Sequence, residues 1–207
     1  MDENQQLDLV KRIKAIAETG LVYTEGSYDK ERYQELREIS LKLLSQKSGI
    51  PSPQLQKFFM PQTDYPTPKV DVRGFVLDKD DRILMARESI DGKWSIPGGW
   101  ADIGSTPKEV VVKEIREETG LDAEVIRLLA IYDKKMHPHP PEPFYVYKLV
   151  FLCRVTGGQL NPGFDMRGAD WFALNTVPPL SEDRIVKSQL EHLFQLTKKD
   201  ILQVHSD

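Results

Sequence analysis

Residues 97–121 read PGGWADIGSTPKEVVVKEIREETGL, a glycine-rich loop that leads into a helix with a defined start and a defined end. Thr106 is placed to be the N-cap, and a proline follows at the first helical position. Glu109 stands three residues after Thr106 and completes a capping-box pattern. Gly120 is the residue type that commonly ends helices in the left-handed conformation. The pattern predicts a helix over residues 106–119 that holds its side chains in fixed positions.

Three glutamates of this predicted helix, Glu114, Glu117 and Glu118, share one arc of its surface because they stand three and four residues apart. Their like charges repel, so a purely structural helix would gain stability from a lysine at one of these positions. A bare acidic cluster is also typical of a solvated helix face. Gly98 and Gly99 favour a site, because backbone without a side chain can approach a metal or a phosphate. The sequence therefore predicts a Mg²⁺ or Mn²⁺ site with Glu114, Glu117, Glu118 and the Gly98 carbonyl as ligands.

The region after residue 69 has the pattern of a mixed α and β domain. Runs that alternate, or that are rich in β-branched residues, predict strands on both sides of the 106–119 helix. Ser181 predicts the N-cap of a closing helix that ends near Leu196. The order of strands, helix, strands and helix favours an α+β fold with a mixed sheet between helices.

The stretch from Gly99 resembles the Nudix box, Gly-x5-Glu-x7-Arg-Glu-U-x-Glu-Glu-x-Gly-U, in which U is an aliphatic residue. The positions that match are Gly99, Glu114, Ile115, Glu117, Glu118, Gly120 and Leu121. Two positions differ: Ser105 stands where the family has its first glutamate, and Lys113 stands where the family has arginine. The surrounding region, from about Val70 to Leu196, is also similar to Nudix hydrolases.

The resemblance implies a Nudix-type mixed β-sheet sandwiched between α-helices, preceded by a small helical N-terminal region. It implies Mg²⁺-dependent hydrolysis of the pyrophosphate bond in a nucleoside diphosphate linked to a sugar or alcohol, of the ADP-ribose or CDP-choline type. The products would be a nucleoside monophosphate and a phosphate ester. Glu114, Glu117 and Glu118 would be the catalytic and metal-binding residues. The identity of the base stays open, and candidates outside the box are Asp165, Glu142 and Glu182.

The two departures from the box affect the expected strength of metal binding. Lys113 keeps the positive charge of arginine but lacks its planar fork, and Ser105 can cap the helix or the loop. Since both family residues are replaced together, we expect weaker metal binding rather than an inactive protein. A non-catalytic nucleotide-sensing module is the alternative that these departures motivate. An RNA-directed phosphohydrolase, acting at 5′ ends or as an exonuclease, is another alternative, which the net charge of −4 disfavours.

Several residues near the predicted site are candidates for contact with the substrate. Arg87, at the end of a predicted strand, could bind a phosphate or could mark an exposed strand end. Gly99 would let the substrate approach the backbone. Trp100 could stack on the substrate or pack inside the protein. His137 and His139 lie in a proline-rich loop, which favours a substrate-facing or interface loop over a zinc site.

Residues 1–66 are predicted to form a helical arm, and residues 67–207 the hydrolase domain. Apolar residues at helical spacing predict two helices that end near Gly20 and Gly49, and a short third helix that begins at Ser52. The predicted apolar faces consist of Leu7, Val10, Ile13, Ile16 and Ala17 in the first helix and Tyr33, Leu36, Ile39 and Leu43 in the second. The arm, with Tyr23, Tyr28, Arg32 and Tyr33, resembles that of a bacterial ADP-ribose or CDP-choline pyrophosphatase-like subgroup. Three short helices make a poor independent core, so we expect the arm to pack on the second domain or on another subunit, with a homodimer interface favoured.

Composition is typical of a globular protein, with 40% hydrophobic and 29% charged residues among 207. The polar, acidic start of the chain does not resemble a signal peptide, and no apolar run is long enough to span a membrane. Cys153, the only cysteine, lies in an apolar run that predicts a buried strand thiol. The expectation is a cytoplasmic protein that acts on a small nucleotide derivative, without a membrane and with nucleic acid as an unfavoured partner.

Overall fold

The computed structural model describes residues 3–51, 53–55, 65–102, 104–198 and 202–207. The chain divides into two compact units. The first consists of Met1–Pro68 with Pro141–Tyr145, and the second consists of Lys69–Pro140 with Val146–Asp207. None of the described helices combines the length and the apolar character that crossing a membrane requires.

The first unit is built on two helices, α1 over Glu3–Tyr23 and α2 over Ser27–Ser48. Its buried apolar core consists of Leu7, Val10, Leu41, Leu44 and Leu55. The end of α2 is as predicted: Gly49 has a left-handed φ of 69°, and its N–H donates to the Ser45 carbonyl. Residues 53–55 are helical, and the predicted start of that third helix at Ser52 lies outside the described residues.

The prediction that Gly20 ends the first helix was wrong. Helix α1 continues through Gly20 to Tyr23. A Cβ at Gly20 would lie 2.6 Å from ring atoms of Tyr33 in α2, which is closer than real Cβ contacts allow. Gly20 therefore accommodates the Tyr33 ring and does not mark a helix end.

The predicted apolar faces of the two helices are only partly buried. Ile16 and Ile39 are exposed, with 58% and 45% of their surface accessible. Polar residues occupy part of the interior instead: Glu18, which is buried, accepts hydrogen bonds from Lys14 at 2.7 Å and from Arg37 at 3.4 Å. A buried ion pair has no apolar periodicity, so helical spacing alone could not place it.

The described residues of the second unit form two sheets, two α-helices and two short 3-10 helices, Lys134–Met136 and Leu174–Thr176. Its strands are β1 Lys69–Val76, β2 Ile83–Glu88, β3 Trp94–Ser95, β4 Gly98–Trp100, β5 Leu121–Asp133, β6 Val146–Gly158, β7 Met166–Phe172 and β8 His205–Ser206. Its helices are α3 over Pro107–Thr119 and α4 over Lys187–Lys198. A mixed sheet has the order β4-β1-β6-β5-β8, and an antiparallel sheet has the order β3-β2-β7.

The two helices pack against separate clusters of buried strand residues. Helix α3 contributes Ile115 to a cluster with Val72 and Leu84, whereas α4 contributes Leu190 to a cluster with Phe75. Since Val72 and Phe75 project from opposite faces of β1, the mixed sheet lies between the helices. The predicted α+β architecture is confirmed.

Cys153 is the buried strand thiol that the sequence predicts. It lies in β6 within the cluster that α3 covers, with 2% of its surface exposed. Burial raises the pKa of its thiol to about 12, so the thiol is inert at neutral pH.

The prediction that Ser181 caps the closing helix was wrong, because α4 begins at Lys187. The Ser181 N–H donates to the Trp94 carbonyl at 2.8 Å, and its hydroxyl donates to Asp91 at 2.8 Å. These bonds fix Ser181 beside β3, so the hydroxyl is not available to a helix end.

Candidate active site

Helix α3 begins and ends as the sequence predicts. The Thr106 hydroxyl accepts a hydrogen bond from the Glu109 N–H at 3.3 Å, and the Glu109 carboxylate accepts one from the Thr106 N–H at 2.8 Å. Gly120 ends the helix with a left-handed φ of 79°. Both caps fix the position of the glutamates that lie between them.

The two glycines of β4 meet the glutamate side of α3. Gly98 has a φ of 148°, and a Cβ there would overlap the Val72 carbonyl oxygen. Its N–H donates to Glu118 Oε2 at 3.0 Å. A Cβ on Gly99 would lie 2.8 Å from Glu114 Oε1. Gly98 is therefore needed for β4 to pair closely with β1, and a side chain at Gly99 would displace the Glu114 carboxylate.

The structure brings two of the three predicted ligands to β4. Glu118 is buried and Glu114 is half-buried. Glu117 points elsewhere: its side chain is 58% exposed, and its carboxylate lies 3.9 Å from Lys113 Nζ. Among the residues that the structure describes, no three His, Cys, Asp or Glu side chains are arranged to hold a metal ion. Glu117 lies about 100° around the helix from Glu118. The assignment of all three glutamates as metal ligands stays a prediction.

The environment of Glu118 and Glu114 fits a divalent cation. Burial raises the pKa of Glu118 to about 8, against the opposing effects of Arg73 and the Gly98 N–H. Burial, followed by the charge of Glu117, also raises the pKa of Glu114. Carboxylates that resist ionisation in this way are stabilised by added positive charge. Two carboxylates beside bare backbone suit Mg²⁺ or Mn²⁺, whose other positions are filled by water and phosphate oxygens.

A buried charge network behind β4 was missed by the sequence reasoning. Arg73 Nε donates to Asp71 at 2.9 Å, and Nη1 donates to the Ile96 carbonyl at 3.2 Å. Lys148 of β6 forms a buried ion pair with the same Asp71. The sequence does contain a signal for this network, because two charged residues, Asp71 and Arg73, occupy alternate positions of β1 in an otherwise largely apolar run. The network fastens the segment before Gly98 to β1.

A further carboxylate, Glu88, was also missed. It is 4% exposed at the end of β2, and its Oε1 lies 2.7 Å from Arg184 Nε. Burial raises the pKa of Glu88, while Arg184 and Arg73 oppose the rise and Asp91 and Asp165 add to it. The charge of Glu88 also acts on Glu118. A glutamate at a strand end resembles a surface residue in sequence, so no pattern identified it.

Arg87 is not brought to the glutamates. It is exposed on β2, and its Nε donates to the Gly92 carbonyl at 2.8 Å. The pairing of β2 with β7 has a β-bulge next to Arg87, and the extra residue of this bulge is Arg167 of β7. Successive side chains of β2 therefore still point to opposite faces of the sheet. Arg87 therefore projects from the face opposite to buried Glu88.

Trp100 lies on β4 immediately after the glycines. Its side chain is 49% exposed, and Lys69 Nζ lies 5.3 Å from the centre of its ring. The indole is therefore not part of the core, and its role with the substrate stays a prediction.

The two departures from the box occur where the loop meets the helix. Lys113 Nζ lies 3.0 Å from Asp102 Oδ2, and this hydrogen bond raises the pKa of Lys113. The Ser105 N–H donates to the Asp102 carbonyl at 3.2 Å, while Thr106 caps the helix. The loop and the helix are thus tied through Asp102.

The three candidate bases outside the box occupy different surroundings. Asp165 is exposed, and its charge acts on Glu88. Glu182 is exposed, and its carbonyl accepts a hydrogen bond from His139 at 2.5 Å. Glu142 belongs to the first unit.

His137 bonds to Asp207 at 2.9 Å, so the two histidines of the loop have separate partners.

Comparison with known families decides the class of the protein. Residues 67–194 match the model of the NUDIX domain. The chain belongs to the Nudix hydrolase family. Residues 4–59 of this Nudix hydrolase match a second model, described as a UDP-X-like, N-terminal oligomerisation domain. The family assignment makes the protein an enzyme that hydrolyses pyrophosphate bonds.

Several relatives cover most of the chain. A putative ADP-ribose pyrophosphatase YjhB of Bacillus subtilis is 41% identical over 95% of this chain and 94% of that protein. An ADP-ribose pyrophosphatase of Methanocaldococcus jannaschii is 37% identical over 61% of this chain and 75% of that protein. Among solved structures, a UDP-X diphosphatase is 33% identical over the full length of both chains, with a TM-score of 0.65. An ADP-ribose pyrophosphatase from Streptococcus suis is 36% identical over 68% of this chain and all of that chain, with a TM-score of 0.62.

Proposed function

We propose that this Nudix hydrolase cleaves the pyrophosphate bond of a nucleoside diphosphate linked to a sugar or alcohol, in a reaction that requires Mg²⁺ or Mn²⁺. The products are a nucleoside monophosphate and a phosphate ester. The observation that carries the proposal is the meeting of Glu114 and Glu118 with Gly98 and Gly99 at β4. Relatives named for ADP-ribose and UDP-X substrates support a substrate of this class.

Glu114, Glu118 and the Gly98 carbonyl would hold the cation, and Glu117 would act from the exposed side as a further ligand or as the base. When bound, the cation supplies neutralising charge at the diphosphate and makes a water molecule more acidic. The Gly98 N–H orients the Glu118 carboxylate at 3.0 Å. Gly99 leaves the space beside Glu114 free of any side chain.

The proton of the attacking water needs an acceptor that is ionised and accessible. Glu117 and Asp165 are both exposed. Asp165 is favoured over Glu182 and Glu142 because its charge acts on Glu88, which in turn acts on Glu118. We infer that Trp100, which is exposed beside Gly99, contacts the rest of the substrate.

A substrate panel tests the proposal. ADP-ribose, CDP-choline and UDP-sugars are incubated with the enzyme and Mg²⁺ or Mn²⁺, and products are identified by mass. Hydrolysis in ¹⁸O-labelled water shows which phosphorus is attacked. We expect turnover of at least one compound, and no turnover across the panel would refute the proposal. Tight binding without hydrolysis would favour a nucleotide-sensing role instead.

The variant Glu118→Gln tests the assigned site within the same assay. It should lower kcat by orders of magnitude, because it removes a charged ligand while preserving shape. Glu124→Gln is the matched control, since Glu124 is an exposed glutamate of β5 that pairs with Arg154. Equal activity of the two variants would show that Glu118 does not belong to the site.

We also propose that residues 1–66 form a homodimerisation arm and residues 67–207 the hydrolytic domain. Leu9, Ile16 and Tyr23 are exposed and stand seven residues apart, so they form one apolar stripe along α1. A second copy of the chain would bury such a stripe. The match of residues 4–59 to an oligomerisation domain supports this assignment.

A further inference from the structure

A diphosphate carries negative charge, and acidic residues dominate the proposed site. A cation from the chain itself would therefore help to bind the substrate. The sequence predicts Arg87 for this task. The structure places Arg87 on the face of β2 opposite to Glu88, where Gly92 lies beside both Arg87 and Arg167. Another arginine must then be sought on the side of Glu118.

Arg184 has the required surroundings. Its Nε lies 2.7 Å from Glu88 Oε1, and its Nη1 donates to the Ser181 hydroxyl at 3.1 Å. Ser181 is itself held by Asp91 at 2.8 Å. The Arg184 side chain is 23% exposed, whereas that of Glu88 is only 6% exposed. Glu88 and Ser181 thus fix the orientation of the Arg184 guanidinium, and the Arg184 side chain is still partly exposed to solvent.

The other cations close to these carboxylates are already committed. Arg73 is 5% exposed, and its guanidinium bonds to Asp71, Ser95 and Ile96. Lys113 is tied to Asp102 at 3.0 Å. Arg184 differs from Arg73 because it remains partly accessible, and it differs from Lys113 because a planar guanidinium can bind two phosphate oxygens at once.

We propose that Arg184 contacts the diphosphate of the substrate and that Glu88 is the residue that positions it. This assignment rests on the proposed function, because it presumes a substrate with phosphate oxygens. A planar guanidinium suits such oxygens, which it can bind through two parallel hydrogen bonds. Arg87 has no part in binding.

The test is the affinity of the full-length enzyme for α,β-methylene-ADP, a nucleoside diphosphate that cannot be hydrolysed, measured by calorimetry with Mg²⁺ present. Arg184→Gln should raise Kd by about 10-fold to 100-fold, as expected for the loss of a charged hydrogen bond. Arg87→Gln is the matched control and should stay within about twofold of wild type, because Arg87 projects from the face of β2 opposite to Glu88. The reverse result, or equal affinities of all three proteins, would overturn the assignment.

Removal of Arg184 alone leaves Glu88 buried without its partner, which can destabilise the fold. The double variant Glu88→Gln/Arg184→Gln removes both charges and should show the same loss of affinity. Wild-type affinity in the folded double variant would overturn the assignment. If the wild type hydrolyses its substrate and Arg184→Gln binds normally, only the role of Arg184 fails. If the wild type neither binds nor hydrolyses, the proposed function fails as well.

Discussion

Replacement of Gly98 by alanine should be among the most damaging single-methyl changes in the second unit. The φ of 148° disfavours any side chain, which costs roughly 1–3 kcal/mol. The new Cβ would also overlap the Val72 carbonyl oxygen and lie 2.8 Å from Arg73 Cα, so β4 must move away from β1. At pH 9, above the pKa of about 8 of buried Glu118, that movement breaks the hydrogen bond from the Gly98 N–H to a charged carboxylate, worth about 1.5–3 kcal/mol. We expect a loss of roughly 3–5 kcal/mol in the free energy of unfolding.

Gly104→Ala provides the matched control. Gly104 also has a positive φ, of 92°, but a Cβ there would meet nothing within 4 Å. Its cost should be only about 1–2 kcal/mol. Urea denaturation followed by circular dichroism measures both variants, and the difference between them isolates the contribution of steric overlap and of the Glu118 bond. Equal stabilities of Gly98→Ala and Gly104→Ala would refute this account of the β4 geometry.

Three further outcomes follow from particular contacts. Burial alone would raise the pKa of Asp71, but Arg73 and Lys148 outweigh it and lower the pKa from 3.8 to about 2. The lowered pKa means that ionised Asp71 stabilises the fold fully above pH 3.8, its pKa in the unfolded chain, and that this stabilisation is lost as pH falls towards 2. The free energy of unfolding of the wild type should therefore fall by about 2 kcal/mol over this range, and that of Asp71→Asn should lack this fall. Lys113→Gln should require severalfold more Mg²⁺ for half-maximal activity, because it removes the ion pair that joins the helix to Asp102 of the loop, whereas Lys113→Arg should not. Equal Mg²⁺ requirements of wild type and Lys113→Gln would argue against a role for this ion pair. Ile16→Glu should convert a dimer into a monomer in analytical ultracentrifugation, while Lys108→Glu, exposed on α3 outside the proposed interface, should not; a wild-type monomer would contradict the dimer proposal.

Local sequence rules predict the parts of the fold that depend on neighbouring residues. The capping box at Thr106 and the glycines at Gly120 and Gly49 act over three or four residues, and the structure confirms all three. Gly20 and Gly49 both follow a run of residues with helical spacing, but only Gly49 ends a helix. Its requirement comes from Tyr33 in another helix, so the spacing within α1 contains no trace of it.

The same distinction explains what the sequence shows of the site. The spacing of the box predicts that Glu114 and Glu118 face the Gly98–Gly99 loop, and they do. Glu88 stands at the end of β2, its charge acts on Glu118, and its partner Arg184 is 96 residues further along the chain. Contacts of that kind depend on the order of strands in a sheet, which a single sequence does not encode locally.

The departures at Ser105 and Lys113 can now be interpreted through Asp102. A loop that feeds a metal site must be fixed to the helix that carries the ligands, since mobile ligands bind more weakly. Lys113 reaches Asp102 from the helix, and Ser105 bonds to the backbone of the same residue. The acidic partner of Lys113 is therefore Asp102, three residues before the box position that Ser105 occupies. Both side chains of the Lys113–Asp102 pair are about half exposed, so the tie is weak and salt-sensitive. Added salt should therefore lower the Mg²⁺ affinity of the wild type more than it lowers that of Lys113→Gln.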